Sequence, residues 1–169
     1  MKAFKLLALT SCFLFAAGNG VAQRDYSKSE GLLQYVDPYI GSGYHGHVFV
    51  GTSVPYGMVQ LGPTNIHKGW DWCSGYHYSD SILIGFSHTH LSGTGCTDLC
   101  DILIMPLNEI RTPRGNQDDI RDGYASGYSH TNEIARPEYY SLLLDRYNIK
   151  AELTATDRVG FHRYTYPEG

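Results

Sequence analysis

The segment "EYYSLLLDRYNIKAELTATDRVGFHRYTYP", residues 138–167, constrains the fold more than any other part of the chain. Ala151, Leu153 and Ala155 fall on one side of an extended chain, and Lys150, Glu152, Thr154 and Thr156 on the other. A period of two with one apolar side is the pattern of an antiparallel strand that buries one face and wets the other. The breaks near Arg146-Tyr147 and Asp157 predict turns, giving strands over 139–145, 149–156 and 158–166. No window carries a sustained 3.6-residue apolar stripe, and no repeat of 20 to 50 residues is present. The expected class is therefore all-β, a sandwich.

Earlier segments add shorter strands. "VPYGMVQLGP" at 54–63 is apolar and bounded by prolines, and "CDILIMPL" at 100–107 is an apolar run stopped by Pro106. "SILIGFSH" at 81–88 puts Ile82, Ile84 and Phe86 on one expected face. "YVDPYIGSGYHGHVFVG" reads as a short strand, an Asp37-Pro38 turn and a glycine-rich loop. Gly169 directly follows a strand, the pattern of a front piece of a longer protein.

The first 22 residues read as a secretory signal peptide: Lys2 and Lys5, an apolar core from Leu6 to Ala17, then Gly20-Val21-Ala22. Asn19 and Gly18 end the run short of the roughly 20 apolar residues of a transmembrane helix, so no transmembrane segment is expected. Residues 23–34 form a polar N-terminal tail. Export to the periplasm or medium follows; a lipoprotein anchor at Cys12 is the less favoured reading, since Phe13-Leu14-Phe15 would become an exposed apolar terminus. Cys73, Cys96 and Cys100 then remain, an odd number, so at most one disulfide can form within the chain, Cys73 to Cys96 or Cys100. The alternative is three reduced, buried cysteines. A net charge of -4 without Lys/Arg runs argues against nucleic acid as a partner.

Fourteen tyrosines and eight histidines against thirteen Lys plus Arg point toward polar ligands with stackable faces, such as sugars. Two clusters concentrate this chemistry. In "FSHTHLSGTGC", His88 and His90 continue the parity of Ile82, Ile84 and Phe86, so an extended chain would carry both to the rim of the sheet. They are candidates for hydrogen-bonding a ligand; a zinc site with Asp98 or Cys96 is the alternative, although no common zinc spacing is present. In "WDWCSGYHYSD", Trp70 and Trp72 could supply an apolar platform, with Asp71, His77 and Asp80 holding hydroxyls; the bland reading buries one tryptophan in the core. His45 and His47 in "GSGYHGH" join the candidates. There is no GxSxG elbow, no phosphate-cradle lysine, and nothing near Cys96 that predicts a reactive thiolate.

The blocks "YVDPYIGSGYHGHVFVGTSVPYGMVQLGP", "WDWCSGYHYSDSILIGFSHTHLSGTGCTDLCDILIMP" and "ARPEYYSLLLDRYNIKAELTATDRVGFHRYTYP" resemble, in order, the N-terminal domain of glycoside hydrolase family 92, the bacterial exo-acting α-mannosidases. The resemblance implies a β-sandwich of the galactose-mutarotase-like (supersandwich) type over residues 35–169, truncated, followed in the family by an (α/α)6 barrel. It implies removal of terminal α-linked mannose, as on N-glycans, with inversion and with a calcium ion. The general acid, general base and calcium ligands are expected in the absent C-terminal barrel. Inversion needs two carboxyl groups about 6.5–9.5 Å apart, so this chain alone is expected to hold no catalytic residue, no metal and no activity. Its expected share is one wall of the mannoside pocket, from the "WDWCSGYH" block first and the "GSGYHGH" and "FSHTHLSG" loops next. Tyr44, Val50 and Cys100 depart from the family pattern, standing where a small residue or glycine, a proline and a glycine are expected. A stand-alone carbohydrate-binding module and a small secreted zinc protein are the alternatives.

Overall fold

A computed structural model describes residues 30–169, so the predicted signal peptide and most of the tail lie outside the described residues. The tail's last residues form a one-turn helix, Glu30–Leu33, where the sequence suggested none. No described helix is long and apolar enough to cross a membrane. Residues Tyr35–Gly169 form one compact unit.

That unit is two antiparallel sheets. The first has the order β1 (Gly62–Asn65), β2 (Ile82–Ser87), β3 (Ser126–Gly127); the second runs β4 (Glu133–Arg136), β5 (Tyr139–Leu144), β6 (Ile149–Ala155), β7 (Gly160–Thr165). The alternating segment forms β5 to β7 with its turns in the expected places. Leu142 faces Ala151, and Leu153 faces His162. Leu83 and Phe86 of the first sheet share one core with Tyr140, Leu142, Leu144, Ile149, Ala151 and Leu153 of the second, which makes the unit a sandwich.

β4 was not legible, and its inward residue explains why. Glu133 occupies a core-facing position at 7% exposure. Its carboxylate accepts hydrogen bonds from Tyr140 Oη (2.6 Å), Tyr76 Oη (3.1 Å) and His130 Nδ1 (2.6 Å). Three donors replace the water a buried carboxylate loses. Burial, reinforced by the neighbouring carboxylate, pushes both tyrosine hydroxyls far above their ordinary range.

The first sheet corrects three expectations. Residues 54–61 are a looped approach, with a bridge between Thr52 and Leu61, and the strand begins only at Gly62. Pro63 is tolerated because β1 is a sheet edge, where a missing N–H breaks no ladder. The run 100–107 is not a regular strand: it touches β2 through one bridge, Phe86 to Ile104, and Leu99, Cys100 and Ile102 take left-handed backbone angles. The stretch before Asp37 is a turn; the Asp37 side chain accepts from the Tyr39 N–H, as its turn chemistry predicts.

In β2 itself the parity breaks. Thr64 pairs with Gly85 but Asn65 with Leu83, so one extra residue is accommodated, and Gly85 has φ +145. Ile82 and Ile84 therefore pack with Ile66 and Ala125, while Phe86 joins Leu83 in the main core. A Cβ at Gly85 would lie 2.9 Å from both the Ile104 carbonyl oxygen and Leu103 Cδ1, so only glycine fits this bulge.

Candidate functional site

Three loops carry the candidate residues: 41–49, 69–80 and 88–96. Trp70–Trp72 is a single 3-10 turn, not an extended pair, entered through Gly69 at φ +127. The tight turn sends the two indoles apart, and they take different roles.

Trp72 turns inward. Its Nε1–H donates to Asp80 Oδ2 (2.8 Å), its ring stacks on His77 at 4.3 Å, and Lys68 Nζ sits 3.0 Å from Asp80 Oδ1. Asp80 also accepts from the backbone N–H groups of Ser81 and Ile82 and is 2% exposed. It braces the start of β2. His77 Nδ1 accepts from the Ser79 backbone, which leaves Nε2–H to donate to the Tyr44 carbonyl at 3.2 Å. Trp72, His77 and Asp80 thus form a braced layer with its polar atoms already engaged.

Trp70 turns outward, with 57% of its surface exposed. Behind it stands His47, edge-on at 4.2 Å, and beside it His45 at 5.5 Å. His45 Nδ1 lies 2.5 Å from Asp71 Oδ1 and His47 Nε2 lies 3.4 Å from the same oxygen. These imidazoles hold the Asp71 carboxyl below its ordinary range. The 88–96 loop closes the back: Gly93 N–H donates to the His47 carbonyl, Ser92 Oγ accepts from Phe49 N–H, and a Cβ on Gly95 would overlap the Trp70 indole nitrogen. The result is an exposed aromatic face with a histidine and a carboxylate at its edge.

His88 and His90 do not emerge together at a rim. His90 is 1% exposed, stacks on Phe49 at 5.0 Å, and donates from Nδ1 to the Gln60 carbonyl at 2.7 Å. Burial pulls its pKa down to about 4, so it is neutral at ordinary pH. His88 is half-buried elsewhere, against β7 and the 101–104 segment. The strand ends at Ser87 and the chain bends at His88, so the extended alternation that placed both on one face does not reach His90.

Tyr44 and Cys100 both take left-handed backbone, φ 49 and 62, which accounts for a glycine-like expectation at each. Tyr44 lines an open concavity of about 400 Å³ with Asp37, Tyr39 and Tyr78. Cys73, Cys96 and Cys100 are free thiols; Cys73 donates to the Thr94 carbonyl, and burial pushes it and Cys100 up, away from thiolate. Among the described residues no group of three His, Cys, Asp or Glu converges to hold a metal, which removes the zinc site of His88, His90 and Asp98 or Cys96. Asp71 and Asp80 are engaged by histidines, lysine, indole and backbone, so these residues do not fit a calcium cage either.

Residues 35–169 match the family model of the glycosyl hydrolase family 92 N-terminal domain. The chain is similar to a GH92 α-mannosidase from Bacteroides thetaiotaomicron solved with mannoimidazole: 43% identity, TM-score 0.78, covering 81% of this chain and 18% of that one. A GH92 inverting mannosidase from Bacteroides thetaiotaomicron VPI-5482 aligns at 26% identity and TM-score 0.59, over 80% of this chain and 18% of that one. An uncharacterized secreted glycosidase of Arthroderma benhamiae is 32% identical over 143 residues, 80% of this chain and 17% of that protein. The chain thus spans under a fifth of the length of these relatives.

Proposed function

This chain belongs to glycosyl hydrolase family 92 through its N-terminal domain, and from that premise we propose that it forms one wall of the mannose pocket of an exported, calcium-dependent, inverting exo-α-mannosidase. The observation that carries this reading is the exposed Trp70 face, backed by His47 and Gly95 and edged by His45 and Asp71. A pyranose offers an apolar C–H face to stack on an indole, and its hydroxyls meet the histidine and carboxylate. Trp72, His77 and Asp80 hold that turn in place rather than touching sugar.

The acid, the base and the calcium ligands belong, in this reading, to the family's C-terminal (α/α)6 domain, and the residues of this chain take no proton and hold no cation in the reaction. Their work is orientation: fixing the sugar ring so that water and leaving group line up, a contribution that rests on placement alone. The relative named as secreted and the sugar-analogue complex of the B. thetaiotaomicron enzyme support export and mannose recognition.

The test is a pair of proteins. A form extended to family length should release mannose from α-mannosides in calcium and stop in chelator, and residues 23–169 should do neither. Turnover by the short form, or none by the long form, contradicts the proposal.

A further inference from the structure

We propose that His88 and His162 form a two-histidine site for a divalent transition-metal ion (zinc, nickel or copper) at the open edge of the sandwich. The proposal is independent of the mannosidase reading. His162 lies on β7, the outermost strand of its sheet, and His88 just beyond β2 of the other. Their Nε2 atoms are 3.1 Å apart. Two nitrogens held about 2.0–2.1 Å from one tetrahedral zinc stand about 3.3–3.4 Å apart, so a small ring movement admits the ion. The ring centroids are 4.9 Å apart with the planes at 37°. An in-line N–H···N bond of this length would separate the centroids by about 5.4 Å, so the rings meet at a bend.

The remote nitrogens are already held, as metal-ligating histidines require. His88 Nδ1–H donates to the Ile102 carbonyl at 2.9 Å, and His162 Nδ1 faces Tyr164 Oη at 2.7 Å. Without metal, Tyr164 donates to His162 Nδ1, and His162 Nε2–H donates to His88. On binding, the His162 proton moves to Nδ1 and is donated to Tyr164, which frees both Nε2 lone pairs with no net proton lost. A Cβ at Gly160 would lie 3.0 Å from His88 Cδ2, so the glycine there leaves room for the ring. No third side-chain ligand joins among the described residues, and both histidines are partly exposed, so water completes the shell. Two imidazoles without a carboxylate select zinc, nickel or copper over calcium. The bound ion would tie β7 to the first sheet.

Calorimetric titration of the metal-stripped full chain with Zn²⁺ and with Ni²⁺ tests this. One ion per chain should bind and raise the thermal midpoint. His88→Asn and His162→Asn should each weaken binding more than about tenfold, and Tyr164→Phe by roughly tenfold. His67→Asn, at an exposed histidine, should leave binding unchanged. Circular dichroism identifies any variant that does not fold; Tyr164→Phe and Gly160→Ala then decide, since both should weaken binding with both ligands retained. No binding below millimolar metal, unchanged binding in folded His162→Asn, or Ca²⁺ competing as well as Zn²⁺ would overturn the proposal.

Discussion

The meander β4–β7 and the loop-rich half before it solve the same problem, burying a face, by opposite means. In the meander, left-handed non-glycine residues occur only at turns, Glu138 and Asn148. In the front half they lie in irregular segments: Tyr44 and His47 in the 41–49 loop, and Tyr56, Leu99, Cys100 and Ile102 outside the three candidate loops. Regular strands satisfy their backbone by geometry and spend side chains on packing. The front loops satisfy theirs through Asp80, Asn65, His77 and Ser92, and hold left-handed backbone at His47, beside the exposed indole.

The difference predicts where a substitution costs stability. Leu142→Ala, fully buried between the sheets, should destabilise by about 2–5 kcal/mol in chemical denaturation. Glu133→Ala should cost about 2–4 kcal/mol by stranding the buried Tyr76 and Tyr140 hydroxyls, whereas Glu133→Gln, which keeps an acceptor, should cost less. If Glu133→Ala is neutral in the same assay, the network does not brace β4.

Acid should probe both halves, since His90 in the front loops and His162 on β7 are both held down to about 4. The folded-state pKa of His90 is below its ordinary value, so the unfolded chain binds the extra proton first. The stability His90 contributes is complete above about pH 6.5 and is lost as pH falls toward about 4, at up to about 1.4 kcal/mol per pH unit. Denaturation midpoints from pH 7 to 4 should fall less steeply in His90→Gln. Glu152 is likewise held down to about 2, chiefly by Arg163 and then by the Tyr139 hydroxyl, so its contribution persists until pH drops below about 4.5. The smallest effect is expected at Tyr44→Gly. Relief of its left-handed strain, offset by a freer unfolded chain, should change stability by under about 1 kcal/mol.

This contrast also explains what could be read in advance. Strands β5–β7 were legible because Ala151, Leu153 and Ala155 alternate with Lys150, Glu152, Thr154 and Thr156, and because clear breaks near Arg146-Tyr147 and Asp157 separate the flanking runs. β4 was not, because its inward residue is Glu133, a charge satisfied by groups far away in sequence. The paired tryptophans marked the candidate site, but their roles were hidden in a 3-10 turn that parity cannot express. His90 was misplaced because β2 stops at Ser87 and the chain bends at His88, so strand parity no longer applies at position 90. Gly95 carried a faint signal in "SGTGC", yet only the folded indole shows what it accommodates.

The most direct measurement is kcat/KM on an α-mannoside for Trp70→Ala in the protein extended to family length. Loss of a stacked indole should remove about 2–4 kcal/mol of transition-state binding, roughly 30- to 1,000-fold, with the thermal midpoint unchanged. A kcat/KM within about twofold of the parent at full folding would contradict the account.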